Sequence, residues 1–451
     1  MEEKDYKVLL DLLEAGSFSG LRKELAELNE VDIAEFLEEL DEKDMVKVFR
    51  ILPKDMSADV FSYLEPDSQE EVIKNINDVE VGRLIDDLFL DDVVDFLEEL
   101  PANMVTRVLK NTTPEMRKTI NAFLNYPEDS AGSIMTNEMI CLHDSLTVGA
   151  AIDQIRSTGE DKASIYTVYV IDSGRHLEGT IELADLIYNK YETNIRDIMD
   201  DDAQLIYVHT LDDQEEVAEV VKKYDLLSVP VVDKENRLVG IVTVDDVVDI
   251  LQEEATEDIE KMAAITPTDK PYTRTGVFET YAKRIPWLLL LMISATFTGA
   301  IITSYENQLA ACVALTAFIP MLMDTSGNAG SQASVSIIRA LSLGDVEFRD
   351  IFKVLWKEIR VAVLVGITLA AANFVKLMII DKPGFLVALV VCLTLAIVVL
   401  AAKLIGCILP MVAHKLGFDP AVMASPFITT LVDAVALISY FRIATAILPQ
   451  I

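Results

Sequence analysis

Basic residues are scarce in this chain: 38 Lys+Arg stand against 74 Asp+Glu, a formal net charge of −36. A surface so acidic repels nucleic acid and anionic lipid and draws cations. Histidine is rarer still. His143, His176, His209 and His414 are followed by Asp, Leu, Thr and Lys, so no His-Glu-x-x-His zinc-protease signature exists. No nucleophile–His pairing is readable either, which leaves a membrane enzyme with no chemistry to run. The four cysteines, Cys141, Cys312, Cys392 and Cys407, form no Cys-x-x-Cys pair, and three lie in apolar segments. They read as reduced packing residues, not as a disulfide or zinc framework. The opening Met1-Glu2-Glu3-Lys4-Asp5 has no basic stretch and no early apolar run. No signal peptide is expected, and the acidic part is expected to stay in the cytoplasm.

What is abundant is apolar: 51% of the chain is hydrophobic. High charge and high hydropathy conflict unless they belong to different regions. From Tyr281 to Ile451 there are 12 Lys+Arg and 9 Asp+Glu, a net of +3. The remainder holds 26 and 65, a net of −39. With 451 residues, the chain is expected to be multidomain, an acidic soluble part joined to a near-neutral membrane part.

Residues 1–130 carry Leu, Phe, Ile and Val at helical spacing between Asp, Glu and Lys, the pattern of amphipathic helices. The run Asp32 to Leu40 returns as Asp92 to Leu100, and Leu52 to Leu64 returns loosely as Thr112 to Leu124. An offset of 60 residues in both cases predicts an all-α helical-repeat domain. Pro53, Pro66, Pro101 and Pro114 are expected at helix starts. From residue 131 to 250 the period changes. Short strands are expected at Thr167–Asp172 and Val229–Asp233. Each is followed by a second strand, Leu177–Ile181 or Leu238–Val242, and by a helix. Gly179 and Gly240 are 61 residues apart. This duplicated α/β unit resembles a tandem pair of CBS domains. In that family a Gly-x-x-Thr-x-x-Asp segment holds nucleotide. The second repeat has it whole as Gly240, Thr243 and Asp246, whereas the first has Glu182 where Thr belongs. The resemblance implies one nucleotide-binding site, at Thr243 and Asp246, with ATP as a candidate ligand. The alternative is a folded dimerisation module.

An acidic connecting helix is expected next, assigned with its linker to residues 251–280 and read in sequence from Val244 to Ala264. Its spacing puts Asp246, Asp249, Glu253 and Glu257 on one face. Such carboxylates repel one another, and a divalent cation would relieve the repulsion. Residues 281–451 then give five expected spans: Ile285–Ser304, Leu309–Met323 running into Leu341, Val361–Ile380, Phe385–Met411 and Ala421–Leu448. The second is expected to be interrupted by the polar run Asp324 to Ser334. Lys283, Arg284, Arg339, Arg349, Lys353, Lys357, Arg360 and Lys415 fall in loops on one side. That predicts a cytoplasmic amino-terminal part and an outside carboxyl terminus. Asp433 lies in the middle of the last span. A carboxylate inside a bilayer is costly, by roughly 2.5–3.5 kcal/mol on insertion scales, and such residues face a bundle interior or water path. Its sign argues for a cation path and against an anion channel.

Over its whole length the chain resembles the MgtE family of magnesium channels. The domain order agrees, as do Gly327-Asn328-Ala329-Gly330-Ser331-Gln332 and Pro426 to Asp433. The family usually has Gly and Asn where this chain has Ser326 and Ser331. The resemblance implies a homodimer in the cytoplasmic membrane, with a pore on its two-fold axis that closes when internal magnesium binds the acidic domains. The matching sensor positions are Asp92, Asp95, Asp213, Glu215, Asp225, Asp246, Asp249, Glu254, Glu257, Asp258 and Asp419. A pore site would be made by Asp433, the Thr429 carbonyl and a break at Gly327, Asn328 and Gly330. Oxygen-lined sites overlap among Mg2+, Mn2+ and Co2+, so another divalent cation is the alternative cargo. A nucleotide-sensing membrane module is the other alternative.

Overall fold

The structure is a computed structural model. It describes residues 3–54, 56–159, 162–199, 205–268, 272–273, 275–423 and 425–448. The chain divides into two compact units, Met1–Leu251 and Gln252–Ile451.

The first unit opens with ten helices, α1 to α10, between Glu3 and Phe123. The two copies of the expected repeat become α3 (Glu30–Glu38) and α8 (Leu90–Glu99). The looser pair becomes α5 (Ser57–Ser62) and α10 (Pro114–Phe123). Phe36 and Phe96, equivalent under the offset, are both buried, and Phe96 meets Phe61 edge-on at 5.0 Å. Pro66 and Pro114 occupy the first turn of their helices, and Pro101 caps its helix. Pro53 does not: α5 begins at Ser57, so this proline stands in the preceding turn.

Two three-stranded sheets follow, β1 (Cys141–His143), β2 (Thr167–Ile171) and β3 (Leu177–Glu182), then β4 (Val208–His209), β5 (Ser228–Val232) and β6 (Leu238–Thr243). In each, the first pair is parallel and the second antiparallel. The duplication extends to the register. Val170 faces Gly179 as Val231 faces Gly240, and the register slips at the next residue in both. Helices α11 (Val148–Thr158), α12 (Leu183–Tyr188), α13 (Gln214–Tyr224) and α14 (Val244–Met262) complete this α/β region. Tyr169 and Ser228 join their hydroxyls at 2.6 Å in the interior, tying one sheet to the other. The core of the helical repeats is continuous with that of the second α/β repeat, through Val217, Val229, Val242, Val247 and Ile250.

The second unit holds α15 (Val277–Ser304), α16 (Glu306–Ala311), α17 (Ile319–Ser342), α18 (Ile351–Lys376), α19 (Phe385–Lys415) and α20 (Ser425–Ile447). Four described helices are long and apolar enough to cross a membrane: α15, α18 with its flanking turns, α19 and α20. The fifth long helix, α17, is more polar but packs on α19 and α20 in the same core. Its course corrects one expectation. The polar run Asp324 to Ser334 is not a break, because α17 is continuous through it. The interruption falls earlier, at Cys312 and the 3-10 turn Val313–Phe318. The physical reason is spacing. Asp324, Asn328 and Gln332 recur every four residues and are all exposed, so the helix keeps its backbone bonds and gathers its polar groups into one stripe.

Candidate cation sites

The opposite face of α17 is built for contact. Ser326, Gly327, Ala329, Gly330, Ala333 and Ser334 are buried. A Cβ at Gly327 would stand 2.9 Å from Thr429 Cγ2, and one at Gly330 would stand 3.0 Å from Ile428 Cγ2. Small residues at this spacing let membrane helices approach closely. Gly327 and Gly330 thus seat α17 against α20, and Asn328 lies on the exposed stripe.

Asp433 lies one helical turn beyond Thr429 on α20. Its Oδ1 is buried and has no hydrogen-bond partner among the described residues. Asp324 acts on it electrostatically from α17. The sequence reading missed Asp324, although it heads the polar stripe at the same spacing as Asn328 and Gln332. A half-buried carboxylate with an unsatisfied oxygen, under the charge of an exposed one on the neighbouring helix, makes a place where a cation lowers the energy.

In the first unit the carboxylates of α8 gather with those at the start of α14. Burial first, then Asp246, Asp95, Asp59 and Asp245, push Asp92 up to about 7. Burial also raises Asp246 to about 6, against a hydrogen bond donated by the Thr243 hydroxyl. Asp91, which the sequence reading left out, is held well above the usual range by burial, Asp246 and Asp92. Asp95 is exposed and acts on Glu98, which burial, Glu128 and Asp95 push up to about 7. Asp249 is exposed and also acts on Asp246. The remaining expected sensor positions are distributed around α13. Asp213 is its amino-terminal cap, accepting from the Glu215 backbone N–H at 2.9 Å. Asp225 ends the helix in the left-handed conformation, φ 52°. An 11-residue helix is about 16 Å long, so these ends cannot serve one ion.

In the second unit the end of α14 forms another cluster. Lys261 Nζ contacts Glu257 Oε1 at 2.6 Å and Asp419 Oδ2 at 2.8 Å. Asp258 accepts from the Ser342 hydroxyl at 3.3 Å. Burial, then Asp419, raise its carboxyl above the ordinary value. Met262 packs with Ile338 and Ala421 beside them. Glu254 is half-buried one turn earlier.

Among the described residues no three His, Cys, Asp or Glu side chains are arranged to hold a metal ion. The clusters are concentrations of mutually repelling oxygens, not preformed cages. Their all-carboxylate chemistry suits Mg2+, which keeps much of its water and takes few protein ligands.

Profiles of known families match along the chain: the MgtE intracellular N domain at residues 28–129, the CBS domain at 131–191 and 195–253, and the MgtE divalent cation transporter at 319–443. The magnesium transporter MgtE of Thermus thermophilus is 37% identical over 454 aligned residues, with 100% of each chain covered. That of Bacillus subtilis is 33% identical, with 97% of this chain and 96% of the relative covered. A crystal structure of the cytosolic domain of the Mg2+ channel MgtE in complex with ATP is also similar. It is 35% identical at a TM-score of 0.52 and covers 54% of this chain and 99% of that one. On this full-length agreement, the chain belongs to the MgtE family of magnesium transporters.

Proposed function

We propose that this chain is a homodimeric magnesium channel of the cytoplasmic membrane, opened and closed by the magnesium it admits. The observation that carries the pore is the buried Oδ1 of Asp433, which has no hydrogen-bond partner among the described residues and feels the charge of Asp324. Two copies of α20 about a two-fold axis would place two Asp433 carboxylates on the path, holding a hydrated ion through its water. The exposed Asp324, Asn328 and Gln332 would line the same path, with the Thr429 carbonyl one turn away. Because Coulomb energy scales with the product of charges, two carboxylates attract a divalent ion about twice as strongly as a monovalent one. The basic loops put the amino-terminal unit inside and the carboxyl terminus outside.

The gate is the acidic chemistry before the pore. Without cations the carboxylates around Asp92 and Asp246, and around Asp258 and Asp419, repel. With internal Mg2+ they draw together and close the path. The relative solved with ATP supports an adenine nucleotide at Thr243 and Asp246 here. The test is Mg2+ flux into vesicles holding the purified protein, with Mg2+ added to the acidic face. Flux that falls as this Mg2+ rises through the millimolar range is expected. Flux indifferent to it would remove the sensor, and absence of divalent flux would remove the channel.

A further inference from the structure

The cluster at the end of α14 already contains a cation, and it belongs to the chain. Three carboxylates, Glu257, Asp258 and Asp419, share one ammonium. Lys261 pairs along its own helix with Glu257, as an i, i+4 lysine does, but also reaches off the helix to Asp419. Asp419 is fixed from the other side, since its Oδ1 accepts the Ala421 backbone N–H at 2.7 Å. Asp258 accepts from the Ser342 hydroxyl and, among the described residues, feels the Lys261 ammonium electrostatically without a direct ion pair. The cluster therefore keeps a surplus of two negative charges, with its one cation between the two carboxylates that come from different elements.

We propose that Lys261 is a tethered competitor for the regulatory cation: its ammonium holds the position between Glu257 and Asp419, and a divalent ion must displace it to bind there. This rests on the sensor reading above and specifies what sets its threshold. The exchange balances simply. One single positive charge swings into water on its four-carbon stem, and one doubly charged ion takes its place, leaving the cluster less negative than before. A group on a short flexible tether acts as if present at an effective concentration on the order of millimolar. It therefore competes in the range where cytoplasmic Mg2+ would have to be read. The lysine keeps the carboxylates from binding at trace Mg2+ while holding them near one another.

The experiment uses the purified full-length protein, with Mg2+ alone as the probe. Protection from chymotrypsin is followed against Mg2+ concentration, so that loss of a tryptic site does not confuse the reading. Lys261→Met keeps the length of the side chain and removes its charge. It should lower the half-protecting Mg2+ concentration by roughly three- to tenfold, the scale of losing one partly screened charge contact. Maximal protection should not change. Lys261→Arg keeps the charge and should stay close to the wild-type midpoint. If Lys261→Met fails to fold, Lys261→Gln removes the same charge. A midpoint that is unchanged or higher in the neutral variant, with the wild type still protected, overturns the competitor role alone. A wild type that Mg2+ does not protect overturns the sensor reading and this proposal with it.

Discussion

Gly406 of α19 lies so close to Gly330 of α17 that a Cβ at Gly406 would stand 2.3 Å from the Gly330 carbonyl oxygen. The obstacle is backbone, which cannot turn aside as a side chain can. Gly330 in turn meets Ile428 of α20, so the two glycines set the spacing of α17, α19 and α20, the first and last of which carry the candidate pore residues. Gly406→Ala should force α17 and α19 apart and lower stability by about 1–3 kcal/mol, the usual cost of overpacking. A thermal shift of the detergent-solubilised protein reads it. A variant as stable as the wild type would mean that the helices can separate freely.

The raised carboxyls of the first unit give a pH dependence with a definite sign. Asp92 rises from 3.8 to about 7 and Asp246 from 3.8 to about 6. The folded chain therefore holds these protons more tightly than the unfolded chain. That stability is complete below about 4, and it is lost as pH rises through 6 and 7. In EDTA, the melting temperature should fall between about pH 4 and pH 7 and level off above, and millimolar Mg2+ should restore it. Asp92→Asn should flatten the slope and stabilise the metal-free protein near pH 8 by roughly 1–2 kcal/mol. A slope that survives Asp92→Asn together with Asp246→Asn would show that other groups cause it.

Nucleotide binding gives a third test, because Asp246 belongs to two constellations. It accepts from Thr243 in the proposed nucleotide site and faces Asp92 across the acidic cluster. Calorimetry of the full chain with ATP should show binding that Asp246→Ala reduces about tenfold or more, the effect of one charge-assisted contact at a partly buried site. Since linkage is reciprocal, Mg2+ should change the apparent nucleotide affinity, and nucleotide should change that for Mg2+ by the same factor. Binding untouched by Asp246→Ala would place the nucleotide elsewhere.

The repeats were legible because duplication is a property of the sequence itself. The offset of 60 that relates Phe36 to Phe96 survives as equal burial, and the offset of 61 that relates Gly179 to Gly240 survives as equal register. Strands β1 and β4 were not legible, since three residues and two residues carry no period to read. The course of α17 was misread for an instructive reason. Gly327 and Gly330 suggest a break when scored by propensity, but tertiary contact with Thr429 and Ile428 overrides propensity. Asp91 and Asp324 were missed because their significance depends on partners distant in sequence, Asp246 and Asp433. Lys261 carries no signal of its own in the sequence, because its second partner, Asp419, lies far along the chain.

The pore claim is tested by separating charge from shape at Asp433. Asp433→Asn preserves volume and hydrogen-bonding capacity while removing the field, so packing of α20, through Ile428 and Val432, against Gly330 of α17 should persist. If the carboxylate pair holds the hydrated ion, this change should cut Mg2+ flux about tenfold or more, which corresponds to about 1.4 kcal/mol lost from the path. Asp324 lies on the exposed stripe and acts on Asp433 from a neighbouring helix. Asp324→Asn should therefore act more weakly, raising the half-saturating external Mg2+ by roughly threefold, as expected for a more solvated charge. The double variant should show less than the sum of the two effects in free energy, because each carboxylate raises the cost of the other's charge. Flux, block of monovalent current by Mg2+, and dimer content by gel filtration should be measured on the same preparations. Should Asp433→Asn carry Mg2+ at the wild-type rate and affinity with folding intact, Asp433 is a packing residue. The exposed stripe of α17 would then have to account for selectivity without it.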